Sequence, residues 1–226
     1  MEIFISINGV LRNIIEKFEY HYNESFLESE IQSVTSIDVD TNEELTPEPN
    51  DFTYSINVPI TNKNLQDHFL FQSKDEFEEF FYIEYPLEIF GHAKLSYLNV
   101  MSELNTLIYD HPEHNFTIVG LDELAKAKPS TLFFLSRNGF LGNNIKFIKS
   151  DEIKKAWRMC DMWISDDEKV LSSCPKKHMQ KFRVKKKAVK FNTIYNQHFT
   201  IETEINKLTE IKQLWLKSLE SSTTLM

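Results

Sequence analysis

Met1-Glu-Ile-Phe-Ile-Ser-Ile-Asn-Gly-Val-Leu-Arg12 opens the chain with an apolar run that ends at a glycine. The run is rich in Ile and Phe and alternates only weakly, as expected of a strand buried on both faces. Gly9 marks a tight turn directly after residues 2–8. Beyond it, Leu11, Ile14, Ile15, Phe18 and Tyr22 recur at helical spacing, which predicts a helix over residues 12–23.

The pattern changes further out. Residues 28–50 are acidic and polar, carry Pro47 and Pro49, and read as an exposed loop. Residues 52–58 alternate cleanly and predict a strand stopped by Pro59. Two short helices are predicted, over residues 63–71 and over 74–82, the second capped by Ser73 and carrying a Phe77, Phe80 and Phe81 face. With Tyr82 those rings make a dense aromatic cluster whose default place is the core. An amphipathic helix is predicted over 95–109. From there strands and helices alternate: strand 115–119, a helix opened near Lys128 and closed by Gly139, strand 144–148, helix 151–158, strand 161–164, strand 188–191 and a last helix over 201–219. Such alternation predicts an α/β architecture with a parallel, doubly wound sheet. Residues 13–110 are too long for one crossover. The expected division is a core of residues 1–15 plus 111–226, with residues 16–110 as an inserted cap or interaction region.

Bulk composition narrows the classes. The 226 residues suffice for one sizeable core, and 18 Phe against 5 Gly argue against low-complexity disorder. Cys160 and Cys174 do not make a disulfide framework, so reduced thiols are expected. No basic leader and no apolar run of about 20 residues is present, so neither secretion by a signal peptide nor a membrane span is expected. A net charge of −9 disfavours general nucleic-acid binding, although residues 176–190 hold eight Lys or Arg and no acid. That run is either an anion-binding patch or a solvated loop before a strand. The spacing His111-Pro-Glu-His114 is the nearest the seven histidines come to a metal motif.

In open α/β sheets, function collects at the carboxyl ends of the strands. The first end reads Ser6-Ile7-Asn8-Gly9-Val10-Leu11. The second, after residues 116–119, reads Gly120. Lys149 follows the third, with Lys146 and Lys154 as competitors. The fourth is Asp161-Met-Trp-Ile-Ser-Asp-Asp167. Asp166 and Asp167 are either an acidic pair for a cation or a turn that caps the next helix.

These four ends, in this order, resemble the motifs of the haloacid dehalogenase (HAD) superfamily. The stretch from Lys128 to Asn196 resembles its 5′(3′)-deoxyribonucleotidase-like branch. The resemblance implies a Rossmann-like three-layer fold with a parallel central sheet and an inserted α+β cap. In that family the opening strand ends in Asp-x-Asp-Gly-(Val/Thr)-Leu. The first Asp is the nucleophile and the second the general acid/base, with Mg²⁺ as the metal. Here those positions are Ser6 and Asn8. Gly120 stands where the family places a phosphate-binding Ser or Thr, Lys149 matches the phosphate-neutralising lysine, and Asp166 and Asp167 match the metal-holding acids. Phosphoryl transfer to a side chain needs an activated nucleophile and a group that moves a proton, and Ser6 and Asn8 supply neither. The expectation is a HAD-like protein without its reaction and without a cofactor, in a structural or protein-interaction role. The alternative is a Mg²⁺-dependent phosphatase or 5′-nucleotidase. A third reading is nucleotide or nucleic-acid binding through residues 176–190. A chain this rich in Asn, Ile, Lys and Phe is similar in style to tailed-phage proteins. That implies other phage structural proteins as partners and the host cytoplasm or the virion as the location.

Overall fold

Glu2–Ser6 forms β1, the strand around which the sheet is laid out. A computed structural model describes residues 1–27, 60, 64–175 and 186–214. β1 pairs in parallel with β4 (Asn115–Leu121) on one side and with β6 (Met162–Ser165) on the other. Outward from β4 lies β5 (Ile145–Ile148). Outward from β6 lie β7 (Lys187–Phe191) and the two-residue β8 (Glu204–Ile205). The order β5-β4-β1-β6-β7-β8 makes a six-stranded parallel sheet of Rossmann-like type.

Helices cover both faces, as parallel strands without a solvent face require. On one face Ile3, Ile5 and Ile7 pack with α1 (Ile15–Tyr22), α4 (Val100–Asp110) and α5 (Ala127–Arg137). On the other, Phe4, Val119 and Trp163 pack with Trp157, α6 (Ile153–Ala156) and α7 (Glu168–Ser172). Side-chain alternation along β1 thus divides the core: odd positions face one layer and even positions the other. Cys160 and Cys174 are unpaired thiols. No helix among the described residues is long and apolar enough to cross a membrane.

The sequence expectations need several corrections. Residues 12–23 are not one helix. Arg12 and Asn13 form β2, which pairs with β3 (Lys94–Leu95) as a two-stranded antiparallel ribbon, and α1 begins only at Ile15. The periodicity was real from Ile14 onward, but Arg12 has buried partners that helical spacing does not reveal. The helix expected at 95–109 starts at Val100, because Lys94 and Leu95 pair with the ribbon and Asn99 adopts a left-handed φ of 73°. The helix expected over 201–219 is replaced at its start by β8 and a 3₁₀ turn, Leu208–Glu210, with helix only from 211. The expected strand 52–58, the loop 28–50 and most of the basic run, 176–185, lie outside the described residues.

Ser73 does cap a helix: its side chain accepts from the Glu76 amide at the start of α3 (Lys74–Glu79), which follows the single turn α2 (Leu65–His68). Two π-helical turns, Phe80–Glu84 and Leu87–Gly91, lead from α3 to β3. The stretch between β2 and β3 therefore leaves and re-enters the fold through the ribbon, and α4 is the crossover into β4.

Candidate functional site

The chain order reverses at β1, so the carboxyl ends of β1, β4 and β6 open into one crevice. A cleft of about 410 Å³ lies there, bounded by Ser6, Asn8, Asp122, Ser150, Ser165 and Asp166. Phe77, Phe81 and Tyr82 from the stretch between the ribbon strands wall its far side. Burial beside Asp122 and Glu123 pushes the Tyr82 phenol up from its ordinary value, so it stays a neutral donor.

Ser6 and Ser165 meet because Ile5 and Ile164 are register partners and the next residue of each strand points to the same face. Both are buried, and they share a hydrogen bond of 2.9 Å. The Trp163 indole N–H donates to Ser6 Oγ at 3.1 Å, and the Asp167 amide donates to Ser165 Oγ at 3.1 Å. No histidine, lysine or carboxylate bonds to Ser6 among the described residues. A hydroxyl that accepts from an indole and meets a second hydroxyl has no base to take its proton.

Asn8 is held from behind. Its Oδ1 accepts from Arg12 Nε at 2.7 Å. Arg12 is fully buried, and its guanidinium also donates to Phe90 O at 3.0 Å, Thr131 Oγ1 at 2.7 Å and Glu123 Oε1 at 2.5 Å. The Thr131 hydroxyl bonds the other Glu123 oxygen. Burial pushes Arg12 down and Glu123 up, and each partner's charge opposes the shift in the other. The fork geometry of Arg matches the carboxylate and keeps the buried pair satisfied.

Asp166 and Asp167 have different environments. Asp167 caps α7, its Oδ1 accepting from Lys169 N at 2.6 Å and Val170 N at 3.1 Å. This is the capping alternative weighed from the sequence. Asp166 lies against the turn after β1. A Cβ on Gly9, whose φ is +74°, would come within 1.8 Å of Asp166 Oδ2. Glycine is thus needed there twice, for its conformation and for its missing side chain. Burial, then the neighbouring Asp167 charge, raises the Asp166 carboxyl to about 8.

No family model and no curated protein matches this chain.

Two expected positions fall outside the cleft. Gly120 sits in β4 beneath the Glu123 carboxyl, where a Cβ would meet Phe147 at 2.8 Å and Glu123 at 2.9 Å. Its small size accommodates the buried ion pair. The β4 residues at the cleft are Val119 and Leu121, with Asp122 directly after the strand. Lys149 is exposed and does not line the cleft, and neighbouring Ser150 does. Ser150 N donates to Asp122 Oδ1 at 2.7 Å, and its hydroxyl bonds Asp122 Oδ2, so the ends of β4 and β5 are tied together. Lys146 lies across the sheet, 5.2 Å over the Phe4 ring. Among the described residues, the cation that does line the cleft is Lys169.

Sequence reasoning missed Arg12, Glu123, Asp122 and Ser150. Arg12 follows the glycine turn directly, where a charged residue among apolar neighbours was the available signal. Glu123 had none, because a glutamate after a strand is ordinarily solvated. Among the described residues no group of three or more His, Cys, Asp or Glu converges as a metal site would require. The oxygen donors at the strand ends are the Ser6 and Ser165 hydroxyls, the Asn8 amide and the Asp122, Asp166 and Asp167 carboxylates, of which Asp122 is bonded to Ser150 and Asp167 caps α7.

Proposed function

We propose that this protein is a catalytically inactive HAD-like protein with a structural or protein-interaction role, as a component or accessory of a phage particle. The observation that carries the reading is the Ser6–Ser165 hydrogen bond, which joins two hydroxyls at the adjoining strand ends where phosphoryl transfer would need carboxylates. Removing both nucleophile and proton donor costs many orders of magnitude in rate, because each lowers a different part of the barrier. The sheet order, with the first strand at its centre and a ribbon just after it that opens to a long insertion, supports the HAD-like assignment of the fold. The interaction role draws support from exposed Leu87, Leu132 and Phe133, of which Leu87 and Phe133 both approach Gly91.

A Mg²⁺-dependent phosphatase ranks second. It would rest on Asp166 and Asp167, and one of these caps a helix while the other is raised toward neutrality by burial. Calorimetric titration of the protein with Mg²⁺, beside hydrolysis of p-nitrophenyl phosphate, separates the two. The expected result is neither heat of binding nor turnover. Magnesium-dependent turnover that disappears in Asp166→Ala would overturn the inactive reading.

A further inference from the structure

The outer face of α5 is apolar and basic in a chain that is acidic overall. Residues 127–137 hold Lys128 and Arg137 and no Asp or Glu, against a net charge of −9 for the chain. Ala127, Ser130, Thr131, Phe134 and Leu135 turn inward and are buried. Lys128, Leu132, Phe133 and Arg137 fall on the opposite side, with Leu132 46% and Phe133 42% exposed. Leu87, also 42% exposed, continues this surface. A Cβ built on Gly91 would meet Leu87 Cδ1 at 2.7 Å and Phe133 Cδ1 at 3.1 Å, so these two side chains close together over the glycine. The result is one contiguous apolar patch that spans α5 and the second π-helical turn, a feature that marks interaction surfaces.

The cations around the patch have no carboxylate partner among the described residues. Lys126 Nζ donates to Ile83 O at 3.2 Å, Arg137 Nη1 donates to His92 Nδ1 at 3.0 Å, and Lys128 Nζ lies 5.6 Å from the centre of the Phe147 ring. The acids that flank Leu87 in the chain are Glu84 and Glu88; Glu84 is exposed, and the charge of Glu88 reaches His21 on α1. The α5 side of the patch is therefore positive. Such a face attracts a partner with carboxylates at its rim and apolar side chains at its centre. The exposed stripe runs the length of α5, and an amphipathic helix with anchors at i, i+3, i+4 and i+7 lies naturally along it.

We propose that this patch docks an acidic amphipathic helix of a protein partner, with apolar side chains over Leu87, Leu132 and Phe133 and carboxylates at Lys126, Lys128 and Arg137. This docking site rests on the interaction role proposed above, and it gives that role a place and the partner a chemistry. An anionic membrane is the other surface that an apolar and basic face can meet. The net charge of −9 opposes it, and side chains less than half exposed have little reach into a bilayer.

The test is calorimetric titration of the full chain at neutral pH with two synthetic helical peptides. Both carry Leu at i, i+3, i+4 and i+7; one has Glu and the other Lys at the flanking positions. Vesicles of phosphatidylcholine and phosphatidylserine are titrated beside them. The Glu peptide is expected to bind in the micromolar range, the Lys peptide at least about tenfold more weakly, and the vesicles not at all. Phe133→Ser changes an exposed residue, so the fold is kept, and it is expected to weaken the Glu peptide about tenfold. Lys128→Glu combined with Arg137→Glu is expected to exchange the preference between the peptides. No binding of the Glu peptide, equal binding of both peptides, binding of vesicles alone, or an unchanged affinity in Phe133→Ser would each overturn the docking site. So would self-association that Phe133→Ser abolishes, which would assign the patch to a second copy of the chain. Failure of the peptides leaves the inactive reading of the strand-end cleft intact, whereas magnesium-dependent turnover overturns that reading whatever the peptides do.

Discussion

Asp166 shows how one side chain ties the crevice to pH. Its carboxyl is raised from an ordinary 3.8 to about 8 by burial and by Asp167. In the unfolded chain it ionises near its ordinary value, so between about pH 4 and pH 8 the folded state holds a proton that the unfolded state has lost. Stability therefore falls as pH rises through that window and levels off above it. Asp166→Asn keeps the shape and removes the titration. Compared with the parent, the variant should be about equally stable near pH 4 and progressively more stable toward pH 8, measured as urea midpoints across the range. Parallel curves for the two proteins would show that Asp166 is not held neutral. That Ser6 and Asn8 stand at the end of the first strand was legible in the sequence, because a strand followed by glycine fixes where the chain turns. The Ser6–Ser165 contact was not, because the register that brings Ser165 beside Ser6 exists only in the folded sheet.

At the scale of the element, the ribbon is held by chemistry that its length does not suggest. Two residues per strand make little hydrogen-bonded sheet. What holds β2 is Arg12, which donates to Phe90 O in the stretch between the ribbon strands, to Thr131 on α5 and to Glu123 after β4. It also lies 5.0 Å over the Phe90 ring and 5.5 Å over Phe134. Arg12→Met would leave the Glu123 carboxylate buried without its partner, a change that costs about 3–5 kcal/mol in such pairs. Adding Glu123→Gln removes the stranded charge and keeps an acceptor for Thr131. The double variant is expected to recover a large part of the loss, seen as a coupling well above the about 0.5 kcal/mol scatter of independent sites in a urea-unfolding cycle. Additive single effects would mean that the pair is not energetically linked. The misreading of residues 12–23 as one helix comes from the same source: apolar spacing reports one face of a segment and says nothing about an arginine whose guanidinium also reaches partners 78 to 119 positions away. Where a cap was predicted from local sequence, as at Ser73, or weighed as one of two readings, as at Asp167, the bonds that make it are local.

Across the whole molecule, the alternation of strands and helices after residue 110 was enough to infer a parallel α/β sheet. The relation of the inserted stretch to that sheet was not inferable. A separate cap would carry its own core. Instead Phe18, Leu65, Phe69, Phe80 and Phe81 belong to one buried apolar cluster with Ile3, Ile5 and Ile118 of the sheet. Phe18 is central to it, with ring contacts of 4.8–6.1 Å to Phe69, Phe71, Phe77, Phe80 and Phe81. Continuous packing couples stability, so the two parts should unfold as one unit. Phe18→Ala is expected to cost about 3–5 kcal/mol, as large aromatic truncations in packed cores do. Hydrogen exchange measured amide by amide tests the coupling: protection in β1 and β4 should fall by the same factor as protection in α1 and α3. Loss confined to α1 and α3, with β1 unchanged, would make the stretch an independently melting cap. The shared cluster also bears on interaction. A partner that seats on residues of this stretch would stabilise the sheet as a whole through mass action, raising its melting temperature even though the sheet is not touched.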